Sequence, residues 1–154
     1  MAGLNKKLIA ILWQLPPSFK KDLRRLESFL KLLNKHKIRQ VFEFRNESWF
    51  NHEVYALLKK HNVCLCIAHS SRFPSVKEVT ADFIYLRFHG ANALYASNYS
   101  DKELKEWANF AKNYCAKGGS ASGGKTKDIF AFFNNDAEGF AVKNALRFRR
   151  LLKE

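Results

Sequence analysis

The chain has no apolar run long enough to cross a membrane: about 18 consecutive residues are needed, and none of its 154 residues begins such a stretch. Membrane function is therefore not expected. The opening Met1-Ala-Gly-Leu-Asn-Lys-Lys7 runs directly into a strand pattern and has no signal-peptide apolar core. The expected location is the cytoplasm, where the sequons Asn46-Glu-Ser48 and Asn98-Tyr-Ser100 carry no meaning. Cysteine is scarce and odd in number. Cys64, Cys66 and Cys115 do not suit a disulfide framework or a zinc site. They are expected to be buried reduced thiols, with Cys64 and Cys66 on opposite faces of their strand. No metal-ligand spacing such as His-Glu-x-x-His occurs, so no metal site is assigned, and the sequence names no cofactor. Acidic residues are few, 14 against 27 Lys and Arg, giving a net charge of +13.

Hydrophobic residues make up 47% and aromatics 14% of the chain, which excludes disorder. The length suits one domain over residues 1–154. The positive charge permits nucleic acid or another polyanion as partner. Its plainer reading is solvated helix faces, because the lysines are spread over every predicted helix. The densest run is Arg147, Arg149, Arg150 and Lys153.

Strand and helix patterns alternate. Strands are predicted over 8–15, 40–45, 63–68, 82–89 and 128–134, and helices over 20–34, 51–61, from the capping box Ser100-Asp-Lys-Glu103, and after Asp136. Near-continuous apolar strands between helices indicate an α/β fold with about five parallel strands covered by helices.

Four polar clusters close four of these strands: Gln14-Leu-Pro-Pro17, Glu43-Phe-Arg45-Asn46, Arg87-Phe-His89-Gly90 and Asn134-Asn135-Asp136. C-terminal strand ends collect binding and catalytic groups in parallel α/β folds. Period-two alternation sets Glu43 with Arg45, Arg87 with His89, and Asn134 with Asp136 on shared faces. Glu43 and His89 are the expected proton-transfer pair, with Asp136 a further catalytic candidate. Arg45 and Arg87 suit a carboxylate or phosphate. Gln14, Asn134, Asn135, His69, Trp49 and Tyr95 are candidates for substrate binding. Each has a plainer reading: a structural ion pair for Glu43 and Arg45, a helix N-cap for Asp136, and a satisfied core histidine for His89. Gln14 can serve only loop backbone, and Trp49 can serve only the core.

Gly119-Ser-Ala-Ser-Gly-Gly-Lys-Thr126 fits a phosphate-binding loop pattern. Such a loop needs a strand before it and a helix after it. Here the order is reversed, and the segment reads as a connector.

Several stretches together resemble the YecE-like family, also called domain of unknown function 72. They are Ile11-Leu-Trp-Gln-Leu-Pro-Pro17, Phe42-Glu-Phe-Arg45 with Ser48-Trp49-Phe50, Thr80-Ala-Asp82, Tyr85-Leu-Arg-Phe-His-Gly90, Tyr95 with Tyr99, and Phe132-Phe-Asn-Asn-Asp136 with Ala141 and Asn144-Ala145. The resemblance implies a TIM-like (β/α) barrel of unestablished activity. It also implies that Gln14, Glu43, Arg45, Arg87, His89, Asn135 and Asp136 match positions lining the barrel mouth. The family's opening Gly-Trp motif and first strands are not matched. A full barrel needs eight strands and roughly 250 residues. The expectation is a partial barrel with its N-terminal strands missing, resembling the C-terminal three-fifths of such a protein.

Three functions follow as expectations. The complete relative would act on a small anionic or phosphorylated substrate by proton transfer. The chain would instead bind nucleic acid through its charge. Or it would be a non-catalytic remnant that needs self-association or an N-terminal half chain to cover its open strand edges.

Overall fold

The computed structural model describes residues 7–116 and 128–154. The phosphate-loop look-alike at 119–126 lies outside them. The order of elements is β1 (Ala10–Gln14), α1 (Leu23–Leu33), β2 (Arg39–Glu43), α2 (His52–Lys60), β3 (Cys64–Leu65), β4 (Ile67–His69), β5 (Phe83–Phe88), α3 (Asp101–Ala116), β6 (Asp128–Phe133) and α4 (Phe140–Leu151). Single 3-10 turns precede α2 and α4.

Local chemistry explains the helices. The side chain of Asp22 accepts a hydrogen bond from the Arg25 amide at 3.0 Å and starts α1. Leu26, Leu30 and Leu33 then form its buried stripe. Asn51 caps α2 through the Val54 amide. The capping box at α3 is formed from both sides: Glu103 accepts from the Ser100 amide at 2.8 Å, and the Glu103 amide donates to Ser100 Oγ at 3.2 Å. The expected cap at Asp136 is corrected. Its exposed side chain makes no capping hydrogen bond, and Gly139, at φ +71°, leads into α4.

The strands form two three-stranded parallel sheets, β1-β2-β3 and β4-β5-β6. The expected third strand is a single stretch broken at Cys66. The Leu65 amide donates to Thr80 Oγ1 at 2.7 Å, and the Thr80 hydroxyl donates to the Val63 carbonyl at 2.6 Å. A side chain thus occupies the place of a strand ladder there, and pairing with β5 begins only at Ile67. The Cys66 amide still donates to the Phe42 carbonyl at 2.7 Å, so the stretch serves both sheets.

Alternation along the strands sorts the core. Trp13, Phe42 and Leu65 pack outward against α1 and α2, and Ile84, Phe88 and Phe133 pack against α3 and α4. On the other face lie Val41, Cys64, Cys66, Ala68, Phe83 and Tyr85. Cys64 and Cys66 therefore share a face, as residues two apart in a strand do, which corrects the expectation of opposite faces. Cys115 is half-buried rather than buried. The inner face is curled: Arg39 at the start of β2 pairs with Asp128 at the start of β6, although two other strand positions lie between them. The Arg39 guanidinium also sits over the rings of Phe83 and Phe130.

Candidate functional site

The inner face ends in polar residues where β1, β2, β5 and β6 finish. Glu43 is fully buried there. Its Oε1 accepts from Arg45 Nε at 2.9 Å, and its Oε2 accepts from Arg87 Nη1 at 2.6 Å. Gln14 Oε1 accepts from both arginines, at 2.9 Å from Arg45 Nη2 and 3.3 Å from Arg87 Nη1. Asn134 Oδ1 accepts from Arg87 Nη2 at 3.2 Å. Five side chains from four strand ends therefore form one hydrogen-bonded cluster. Two guanidiniums share one carboxylate, which leaves one positive charge in excess.

His89 lies two residues beyond Arg87 on the same face, 1% exposed, with Nε2 4.0 Å from Glu43 Oε1. Neither ring nitrogen has a hydrogen-bond partner among the described residues. Burial pulls its pKa down to about 4, the Arg87 charge adding to the fall. It is therefore neutral near pH 7, with one N–H and one lone pair available. Cys66 faces Glu43, Sγ to Oε2 3.9 Å, and burial pushes its thiol well up, so it is an inert neighbour. For Arg87, burial is the largest single influence and opposes the charge, but the hydrogen bond to Glu43 and the Glu43 charge together outweigh it and the pKa is raised.

The remaining candidates are spread around this cluster. Tyr95 is exposed, with its ring edge-on to His89 at 5.5 Å and its amide donating to the His89 carbonyl. It holds φ at +63° in a loop that begins at Gly90, φ +99°. Asn135 is fully buried, but its amide nitrogen donates to the Ser97 carbonyl and to Asn144 Oδ1. Asn144 in turn donates to Asn98 and to the Tyr99 carbonyl. Asn135 thus fastens the 97–99 loop rather than joining the arginine cluster. His69 turns outward: its Nδ1 is 3.0 Å from Tyr99 Oη and its ring meets Trp107 edge-on at 5.1 Å. Trp49 is core, stacked on Phe44 at 4.5 Å and donating from Nε1 to the Phe19 carbonyl at 2.7 Å.

Two neighbours escaped the sequence reading. Cys66 follows from period two once Ala68 is placed inward, so that signal was present. Phe73, whose ring lies 4.3 Å from the Arg45 guanidinium carbon, sits in a loop where no period operates. Among the described residues, no group of three or more His, Cys, Asp or Glu side chains is arranged to hold a metal ion. No helix there is long and apolar enough to cross a membrane.

Parallel strands, outer helices and a polar cluster at the C-terminal strand ends define an α/β protein. The chain belongs to the family described as Protein of unknown function DUF72, whose model matches residues 1–154. A DUF72 family protein from Thermotoga maritima superposes with a TM-score of 0.76 at 30% identity, over 94% of this chain and 58% of that one. A DUF72 family protein from Enterococcus faecalis shares the fold with a TM-score of 0.75 at 22% identity, over 97% of this chain and 60% of that one. The UPF0759 protein YunF of Bacillus subtilis is 26% identical over 179 residues, covering 96% of this chain and 59% of that protein. The chain thus spans about three-fifths of the length of these relatives.

Proposed function

We propose that the chain is part of a (β/α) barrel whose mouth binds a small anion, a carboxylate or a phosphate, beside a neutral histidine that moves a proton. The observation that carries the reading is the charge at the strand ends. Glu43 is fully buried between Arg45 and Arg87 and balances only one of them. The excess charge lies on partly buried guanidiniums, where it is costly without a counter-charge, and an anionic ligand supplies it. Arg45 and Arg87 keep N–H groups beyond those spent on Glu43, Gln14 and Asn134, and the guanidinium fork matches either anion.

In this reading Glu43 orients the two arginines, since each carboxylate oxygen is already taken by one. His89 is the proton carrier, because its two nitrogens have no other partner and its low pKa keeps the lone pair available. The barrel part of the proposal is supported by parallel strands throughout, the curl that brings Arg39 to Asp128, and relatives long enough to supply further strands.

The test is calorimetric titration of the chain with inorganic phosphate and with acetate, repeated on Arg87→Gln. Saturable binding that the variant loses is expected. Absence of saturable binding of either anion by the parent chain would overturn the assignment.

Nucleic-acid binding has less support. In the basic stretch of α4, Arg147 is paired to Asp101 and Glu154, so this stretch is partly neutralised.

A further inference from the structure

The strand-end cluster does not stop at Arg45. A groove of about 370 Å³ shares that residue and lies between three connecting segments. Pro17 follows β1, Arg45 and Glu47 follow β2, and Phe73 and Pro74 follow β4. All three segments leave C-terminal strand ends, so the groove lies at the same end of the sheets as Glu43.

Hydrogen bonds within these segments fix its walls. Asn46 Nδ2 donates to the Pro17 carbonyl at 2.6 Å, which ties the segment after β1 to the one after β2. Asn46 Oδ1 accepts from the amide and the hydroxyl of Ser48, and Ser48 Oγ accepts from the Lys21 amide at 2.8 Å. After β4, Ser70 Oγ accepts from the amides of Arg72 at 3.1 Å and Phe73 at 3.4 Å. A serine side chain thus holds the turn that carries both residues.

Arg45 and Arg72 both lie against the Phe73 ring, with guanidinium carbons 4.3 and 5.7 Å from its centroid. The two carbons are therefore at most about 10 Å apart. Arg45 is held by Glu43 through Nε, by Gln14 through Nη2, and by this ring. Its Nη1 makes no hydrogen bond among the described residues. Arg72 is exposed and has no carboxylate partner among the described residues.

A single small anion between Arg45 and Arg87 leaves Arg72 and the groove unused. The groove has the volume of a small-molecule site. Pro17, Phe73 and Pro74 give it apolar walls, which gain from covering an apolar chain. The guanidinium of Arg72 matches a second carboxylate or phosphate. A ligand that uses all of these has an acidic group at each end and a short apolar stretch between them. Glu47, exposed at the groove, would instead suit an ammonium at the outer end. Arg72 outweighs it because Arg72 lies on the same ring as Arg45.

We propose that Arg72 and Phe73 form a second subsite, and that the ligand of the strand-end cluster is a short dianion. Its acidic groups are two carboxylates, or a carboxylate and a phosphate, joined by a few carbons. This inference rests on the anion reading above and specifies its ligand.

The experiment is calorimetric titration of the 154-residue chain with dicarboxylates of increasing length, from malonate to adipate. Each is set beside the monocarboxylate of the same carbon number, and the ratio of the two affinities is read. The expected ratio is at least about tenfold at one length, the value of one added charged hydrogen-bonded contact. It should fall to near one in Arg72→Gln and persist in Arg149→Gln, which removes another exposed arginine, on α4. If monocarboxylates bind but the ratio is near one at every length, or survives Arg72→Gln, the second subsite is overturned and the anion reading stands. An equal fall in Arg149→Gln reduces the effect to net charge and also overturns the subsite. A gain for ω-amino acids in place of dicarboxylates, lost in Glu47→Gln, overturns the dianion. Absence of saturable binding of any of these acids overturns the anion reading and the subsite together. Dicarboxylate binding that survives Arg87→Gln does the same, because the groove is then not joined to the cluster.

Discussion

Glu43 and Arg87 are 44 residues apart in sequence and 2.6 Å apart in space. Two strands must be in register for that contact to exist, and Cys66 and Tyr85 must sit beneath it. The contact therefore reports both the fold and the site. Replacing Glu43 with Ala leaves two arginines facing each other without their carboxylate. Breaking a buried pair in this way costs about 3–5 kcal/mol. Urea unfolding of Glu43→Ala is expected to show a loss in that range, with Glu43→Gln losing less because the amide still accepts hydrogen bonds. Equal midpoints for parent and Glu43→Ala would mean that the ion pairs are not formed in solution.

His89 sets a pH dependence with a definite sign. Its folded pKa, about 4, lies below the roughly 6.5 of an unfolded histidine. Between those values the unfolded chain binds the proton and the folded chain does not. Stability therefore rises with pH through the window and falls as pH drops from 6.5 toward 4. The full difference is about 3 kcal/mol, at roughly 1.4 kcal/mol per pKa unit. Unfolding free energies at pH 7 and pH 4.5 should differ less for His89→Gln than for the parent. An identical pH slope in the two proteins would remove His89 as the cause.

Thr80 is a second fixed point. It lies fully buried in the turn before β5, and its hydroxyl serves both Val63 and Leu65. Thr80→Val keeps the shape and removes both bonds, leaving a buried amide and a buried carbonyl unpaired. Each unpaired group costs about 1–3 kcal/mol. The expected loss is about 3 kcal/mol by urea unfolding, with faster amide exchange at Leu65. A loss below about 0.5 kcal/mol, the scatter of ordinary surface changes, would place water where the hydroxyl now sits.

What the sequence could reveal divides along the range of the interactions. The stripe Leu26, Leu30, Leu33 and the capping box at Ser100 and Glu103 are local signals, and the helices appear where those signals place them. Alternation also put Glu43 with Arg45, and Arg87 with His89, on shared faces, because period two holds wherever a strand exists. The break at Cys66 was not legible, since it depends on Thr80, which is 15 residues from Leu65. The placement of Asn135 failed to show for the same reason, and the choice between core and ligand for Trp49 stayed open. Asn135 is claimed by Asn144 and the Ser97 carbonyl, and Trp49 by Phe44 and the Phe19 carbonyl, all partners fixed by tertiary packing. Asp136 carried the right residue type for a cap, but the 3-10 turn at Ala137–Gly139 moved the start of α4 away from it.

Gly90 is irreplaceable at its turn. With φ at +99°, a Cβ built there would lie 2.2 Å from the Ala93 carbonyl oxygen, a backbone atom that cannot step aside. Gly90→Ala therefore combines an unfavourable backbone conformation with a clash, for a loss of about 2–3 kcal/mol. The damage should be local. Near-UV circular dichroism from Tyr95 and Tyr99 should change, while far-UV helix content stays constant. Unchanged stability in Gly90→Ala would mean that the loop adopts another path.

That loop also decides whether His89 can meet a ligand. The imidazole is 1% exposed, and the edge-on ring of Tyr95 stands against it while remaining 43% exposed itself. Tyr95 holds φ at +63°, a conformation a tyrosine rarely adopts, and its amide is tied to the His89 carbonyl. Since burial is the first cause of the low His89 pKa, opening the cover should release it. Tyr95→Ala is expected to raise the His89 pKa from about 4 toward the ordinary value of about 6.5, read from the ring proton shift across a pH titration. Its accessibility to an acylating imidazole reagent should increase in step. A variant whose His89 still titrates where the parent does would show that the Arg87 charge, rather than the tyrosine cover, holds the ring neutral. Ligand access would then have to come from the open side of the strand array.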